Sequence, residues 1–509
     1  MKNLLKYIPF LAILLFSGCD DFLNLNPVSQ IGEGDLFTNQ NEVEQGITAC
    51  YNGLQAPMKS EWMLTELRTD NSRLRNLGST SARSVQIKQF DEANFYSTDP
   101  NLTDYWAGSY TNIKNCNKVL PHLGVVTDEV KRKQYEGELL FIRAYHHFNL
   151  VRLYRNVFLV DHLLTADEAK NMSSTPAEMI YSDLIEKDLL KAVDYLPESY
   201  QKEEQGRVTS LAAKALLAKV YLTQKNYNEA QKWLLQVYEK ESSGLVGLES
   251  DYQRVFDINN EMNKEILFAV RFASGSYGIG CSFPYTFAAY GSTDAGRQGA
   301  GENYPTQLLV KSYNSNDARK DVTLRTSFML GTQIRYDNWV HKYFSVVANL
   351  EDGENDWPVL RYSDVLLMLA EVQNEIDRKP DNAFQYINPV RLRAHLLALD
   401  LSNCSDYNSF KMAIENERRW EFAFENQRLF DLIRTDRYID VLNDFYLNET
   451  YISNSNTGDE PVDTPTEPHK SRFYWDDAIG TFRGYPMTPD RLLLPMPNWD
   501  VNVSNIYGN

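Results

Sequence analysis

Glu417, Glu421 and Glu425 stand at steps of four residues, so a helix through them lines three carboxylates along one face. Two carboxylates held about 5 to 9 Å apart in a cleft can hydrolyse a glycosidic bond. Arg418, Arg419, Arg428, Arg434 and Arg437 lie among them, however, and Glu–Arg pairs at i, i+3 and i, i+4 neutralise one another along a helix. Trp420, Phe424 and Phe430 add an apolar packing surface. The expectation is a structural ion-pair network over 417–437, with no catalytic set. His146 and His147 are adjacent, about 100° apart on a helix, which makes a poor metal pair. Asp352-Gly-Glu-Asn-Asp356 is acidic but lacks EF-hand spacing. No G-x-x-x-x-G-K-[ST], H-E-x-x-H or G-x-S-x-G occurs, and Gly275, Gly278 and Gly280 are in the wrong order for a dinucleotide fingerprint. No cofactor or metal is expected, and recognition takes precedence over reaction.

The elements that must position any recognition site are mostly helical. Over Arg207 to Lys240, Leu217, Ala218, Tyr221, Tyr227, Ala230 and Leu234 fall at the spacings of a tetratricopeptide hairpin. Asn228, three residues before Gln231, is the expected N-cap of its second helix. Val43 to Leu54 is helical in pattern, and Tyr105 to Leu120 places Trp106, Tyr110, Ile113 and Asn117 on one face. In Glu136 to Tyr154, Leu140, Ala144, Phe148 and Val151 form an apolar stripe. Tyr362 to Ile376 and Asn382 to Ala398, separated by Lys379-Pro380-Asp381, read as a further hairpin. Residues 242–357 change character, being Gly-rich and aromatic with one strand-like run at Glu265 to Phe272. Residues 453–468, rich in Pro, Thr, Asp and Asn, read as a surface loop.

The first 25 residues carry an address. Lys2 and Lys6 precede an apolar run from Ile8 to Phe16, and small Ser17-Gly18 abut Cys19, the layout of a cleavable signal at residues 1–18. A cysteine in that position suggests a bacterial lipoprotein whose Cys19 becomes the acylated first residue, so the body is tethered to a membrane. The net charge of −18 argues against nucleic acid, which needs a basic stripe. Cys50, Cys116, Cys281 and Cys404 are scattered without C-x-x-C spacing, so a disulfide framework is not expected.

Six ordered motifs carry a family resemblance: Cys19-Asp-Asp-Phe-Leu23 with Pro27, Glu138 to Phe148, Trp357 to Glu371, Ile387 to Ala394, Glu417 to Arg434, and Leu494-Pro-Met-Pro497. Together they resemble the SusD/RagB family of surface lipoproteins. The resemblance implies a mainly α, SusD-like fold with tetratricopeptide-like hairpins and a loop-rich second half, in a single domain over 19–509 made of parts 19–241 and 242–509. It further implies a non-enzymatic glycan-binding protein, lipid-anchored and surface-exposed on the outer membrane, that delivers nutrient to a SusC-like TonB-dependent transporter. Two departures stand out: Arg155-Asn-Val-Phe158 replaces the usual Gly-Asp-Val-Pro, and the tail Val501 to Asn509 lacks the usual pattern.

Sugars present flat, weakly apolar faces edged with hydroxyls, so their sites combine exposed rings with planar polar side chains. Two stretches have that mixture. The first holds Asp70, Asn71, Arg73, Arg75, Asn94, Phe95 and Tyr96; the second holds Tyr277, Tyr285, Tyr290, Asp294, Arg297, Tyr304 and Trp339. The resemblance places the ligand face in loops from these same parts of the chain. Two rival readings are a helical glycoside hydrolase and a tetratricopeptide scaffold that binds only protein.

Overall fold

The computed structural model describes residues 36–74, 81–296, 298–448 and 487–498. The signal, Cys19, Arg75, Arg297, the loop at 453–468 and the chain end lie outside the described residues.

Helices dominate, and each forms where apolar periodicity meets a cap. α1 (Gln40–Asn52) starts at Asn39, whose side chain accepts from the Glu42 amide, and α2 (Gln55–Leu64) follows it directly. α3 (Pro100–Val119) is capped by Asp99, with Pro100 at the position where its missing N–H costs nothing. Its predicted stripe of Trp106, Tyr110, Ile113 and Asn117 is buried throughout. α4 (Glu129–Tyr154) is capped by Asp128, starting seven residues before the pattern suggested. It ends at Arg155, which adopts a φ of 67° where the resembled family places glycine. His146 and His147 lie buried on α4, and burial holds their imidazoles down at about 3 and about 4, so both are neutral packing groups.

α5 (Glu186–Tyr195), α6 (Ser210–Thr223) and α7 (Tyr227–Tyr238) continue the stack. The predicted hairpin is α6–α7, with Leu217, Ala218, Ala230 and Leu234 fully buried in the seam. Its cap is Asn226, not Asn228: Lys225 turns at φ 60°, and the Asn226 side chain meets the Glu229 amide. α7 packs on α8 (Tyr362–Asp377), which packs on α9 (Phe384–Arg393) and α10 (Tyr407–Glu421). The main hydrophobic core gathers buried residues from Val43 to Leu494, so the described residues on either side of position 241 share an interior. Repeats that cannot bury an apolar face alone do so here by stacking in sequence.

The strands are short and form three antiparallel pairs among the described residues. β1 (Ser72–Arg73) pairs with β3 (Tyr304–Pro305), β2 (Ile266–Val270) with β6 (Trp357–Arg361), and β4 (Leu324–Leu330) with β5 (Gln333–Val340). The predicted strand at Glu265 to Phe272 is β2, and β6 delivers the chain straight into α8.

Candidate ligand-binding face

The Glu417-to-Arg437 stretch is two helices, not one. α10 stops at Glu421, the chain turns through Phe424 and Asn426 at φ 65° and 60°, and α11 (Arg428–Arg434) begins after the break. The ion-pair partners of the three glutamates therefore come from elsewhere in the chain, against the expectation of pairing along one helix. Glu417 meets Arg319 at 2.7 Å and Arg391 at 2.8 Å. Glu421 meets Arg319 at 3.0 Å, Arg361 at 2.9 Å and Arg393 at 2.5 Å, and Glu425 meets Arg361 and Lys342 at 2.8 Å. Glu265 and Asp317 complete the cluster on Arg361, Arg393 and Arg319. The local arginines turn outward from this set: Arg418 to Asp364 and Asp431, Arg428 to Asp70, Arg434 to Glu371. Every carboxylate of the candidate acid–base triplet is thus buried against cations.

Burial pushes the Glu421 carboxyl up, but Arg393, Arg361 and Arg319 outweigh it and hold it well below the usual range. Burial likewise opposes ionisation of Asp70, yet Arg419 and Arg428 bring it down to about 2. Lys219 and Arg418 do the same for Asp364, holding it well below its ordinary value. A carboxyl whose pKa is lower folded than unfolded stabilises above its unfolded pKa, and that stabilisation is lost as pH falls through the folded value. Asp70→Asn isolates one such group: in urea melts the stability of the parent over the variant is expected to shrink by about 1.5 kcal/mol from pH 4.5 to pH 2.5. A parent-to-variant difference that is the same at the two pH values would contradict the Asp70 ion pairs.

The two loop stretches singled out for recognition lie side by side. β1 pairs with β3, the Ser72 hydroxyl donates to Asn303 Oδ1 at 2.6 Å, and Thr306 Oγ1 donates to the Asp70 carbonyl at 2.7 Å. Arg83 forks onto both carboxylate oxygens of Glu302, at 3.1 and 2.8 Å. The 285–302 loop folds on itself through Gly299, whose N–H donates to Ser292 O at 2.8 Å and where a Cβ would stand 2.2 Å from Ala289 O. Only glycine fits that crossing.

A third loop, 345–356, braces the second of these stretches. Val347 N–H donates to Ala295 O at 2.9 Å, and Cys281 and Gly353 exchange backbone hydrogen bonds at 2.8 and 2.9 Å. The acidic run Asp352 to Asp356 spends its side chains here: Asp352 accepts from Ser276 N–H, Glu354 from the Ser274 hydroxyl and Asp356 from Phe272 N–H. Burial pushes Asp356 up to about 7 despite Arg271 beside it. The loop carrying Tyr277 is thereby pinned, through two backbone amides held by Asp352 and Asp356 and one hydroxyl held by Glu354.

Tyr96, Tyr277 and Tyr290 are 57%, 78% and 54% exposed, the last two in the braced stretch, and Tyr285 is half-buried. Asn94 is exposed and donates to the Tyr96 hydroxyl at 2.9 Å, Asp294 is exposed, and Phe95 is half-buried under Arg68. The other candidates are corrected by their burial. Asp70 is locked to Arg428 and Arg419 at 2.9 Å, Asn71 accepts from Arg419 at 2.8 Å, and Arg73 lies over the buried Tyr304 ring. Trp339 is buried too: its indole N–H donates to Ser327 O at 3.1 Å, and it forms a small core with Ala289 and Phe328, backed by Phe344. It supports the segment that presents Tyr290. Reading by residue type missed Val346 and Leu350, both exposed on the bracing loop; the available signal was apolar residues inside a run of Asn, Asp, Glu and Gly.

Helix hairpins stacked on one core, with exposed tyrosines on cross-braced loops, define an α-helical repeat scaffold carrying a loop-built face. The chain belongs to the SusD family. A model described as the SusD family matches residues 329–507, and one described as starch-binding associating with outer membrane matches residues 21–222. The SusD-like protein P25 of Formosa agariphila is 26% identical over 495 residues, spanning 87% of this chain and 92% of its own. Among solved structures, a laminarin binding SusD-like protein superimposes with a TM-score of 0.72 at 22% identity, over 91% of this chain and 98% of its own. Surface glycan-binding protein A from Bacteroides thetaiotaomicron in complex with laminarihexaose gives 0.71 at 20% identity, over 92% and 98%. These likenesses bear out the mainly helical, SusD-like fold.

Proposed function

We propose that this protein captures an oligosaccharide or polysaccharide on the braced loop face and delivers it to a SusC-like TonB-dependent outer-membrane transporter. The observation that carries the proposal is the exposure of Tyr96, Tyr277 and Tyr290, the last two on loops cross-linked by hydrogen bonds to 345–356. Rings held in place before the ligand arrives lose little conformational entropy on binding and offer flat faces to pyranose C–H groups. The description of the matching family and the glycans named for two structural relatives support the same ligand class. The arginine-locked glutamates support binding without turnover. Electrophoresis of the native protein through gels containing laminarin, starch, xylan or mannan tests this reading. Retardation by at least one polymer is expected, and unchanged mobility in every gel would overturn it.

Attachment to the cell is proposed to rest on acylated Cys19. None of the described helices is long and apolar enough to cross a membrane, whereas two or more acyl chains at about 0.8 kcal/mol per buried CH₂ give stable anchoring. Cys19→Ala is expected to release the protein from the membrane fraction. A variant still membrane-bound and protease-accessible on intact cells would place the anchor elsewhere.

A further inference from the structure

A cleft of about 600 Å³ opens between the 250–258 turn, the 318–325 segment, β5's exit at 341–344 and the end of α9. None of Tyr96, Tyr277 and Tyr290 lines it. Its volume falls in the range of small-molecule sites, about 300 to 1,000 Å³. Its floor is Tyr252, Lys342 and Arg393, and its wall includes Phe256 with a stacked pair, His341 on Phe344, whose rings lie 5.3 Å apart at 13°.

The floor holds one unsatisfied donor. Arg393, its side chain 4% exposed, gives Nη1 to Glu265 at 3.1 Å and Nη2 to Glu421 at 2.5 Å, while its guanidinium carbon lies 5.0 Å from the Tyr252 ring centroid. Its Nε finds no acceptor among the described residues. A buried donor without an acceptor is costly, but Nε has almost no surface open to the cleft, so the guanidinium a ligand reaches is that of Arg325 at the rim. Lys342 has no such vacancy, since it donates to Glu425 and to the carbonyls of Ala423 and Glu421.

Charge narrows the ligand. The floor cations are already matched by glutamates, and the rim carries Asp251, Asp257 and Asp321 against Arg325 alone, so an anion meets net repulsion. A polyhydroxyl ligand both accepts from a guanidinium and donates to carboxylates, and its C–H faces suit the Phe256 and Phe344 rings. We infer that this cleft is a second binding site, for a short neutral saccharide, separate from the loop face. It takes its ligand class from the function proposed above but none of its residues.

Calorimetry on the full-length protein tests the inference, using maltose, cellobiose, laminaribiose and xylobiose, with glucuronic acid as the anionic probe. Gln253 is exposed at the mouth, where its backbone N–H, not its side chain, caps onto Asp251, so Gln253→Trp fills the entrance without touching the floor. At least one neutral disaccharide is expected to bind, with affinity about tenfold or more weaker in Gln253→Trp and unchanged in Tyr277→Ala/Tyr290→Ala. Asp321→Ala, at an exposed rim position, is expected to weaken it about threefold. Loss in the tyrosine pair with retention in Gln253→Trp would put the sugar on the loop face, overturning the cleft and upholding the proposed function. Loss in both would overturn their separateness. Glucuronic acid binding more tightly than every neutral sugar, or no disaccharide binding at all, would also overturn the cleft, while retardation in polymer gels still judges the loop face.

Discussion

Glu421→Gln is expected to lower the stability of the folded protein by about 3 to 5 kcal/mol, the usual cost of removing one partner from a buried ion pair. The change keeps the shape of the side chain and removes one negative charge from a site where Arg319, Arg361 and Arg393 converge. Glu417, Asp317, Glu265 and Glu425 remain against these three arginines together with Lys342 and Arg391, so one buried positive charge is left over. At about 2.1 cal/mol/K per residue, a chain of 509 residues has an unfolding entropy near 1 kcal/mol/K, which makes the melting temperature fall by about 3 to 5 °C. The network's role is to hold elements far apart in sequence in one arrangement, because each guanidinium bridges segments that no local contact would align. Glycan binding by the folded fraction is expected to persist. An unchanged melting temperature together with abolished sugar release would instead make Glu421 an acid–base group and revive the hydrolase reading.

Replacing Tyr277 and Tyr290 together by alanine is expected to weaken glycan binding far more than either change alone. Stacking of a ring on a flat ligand face contributes about 1 to 3 kcal/mol by analogy with nucleobases, or roughly five- to a hundredfold in affinity for each ring. A chain long enough to touch both loses both contributions, so a combined loss of about a hundredfold or more is the expected calorimetric result with laminarihexaose or the retained oligosaccharide. Trp339→Ala serves as the contrast. Trp339 packs beneath the loop against Ala289 and Phe328, so its removal is expected to cost about 3 to 5 kcal/mol of stability through the cavity it leaves. A folded double tyrosine variant that binds as tightly as the parent would move the site off this face.

The scaffold was legible because helix formation is written in local pattern. Leu217, Ala218, Ala230 and Leu234 recur at helical spacing, and such a stripe has no stable use except inside a hairpin seam. Trp106, Tyr110, Ile113 and Asn117 were placed on one face for the same reason, and all are buried. Cap positions were less legible: Asn226 and Asn228 are the same residue type two positions apart, and the backbone turn at Lys225 decides between them.

The sequence by itself determined the helical class, the family resemblance and the ionic character of the Glu417 to Arg437 stretch, and it singled out the two segments from which the proposed face is built. Tertiary structure alone decided which side chains reach solvent. Asp70 and Asn71 have the composition of ligand contacts, yet Arg428 and Arg419, some 350 positions along the chain, enclose them. Trp339 and Tyr290 are both aromatic and both lie in the loop-rich part, but one fills a small core and the other is open to water. Periodicity reports a residue's neighbours one helical turn away, which is enough for secondary structure. Exposure and ion pairing are set by segments hundreds of residues distant, and only the folded chain brings those together.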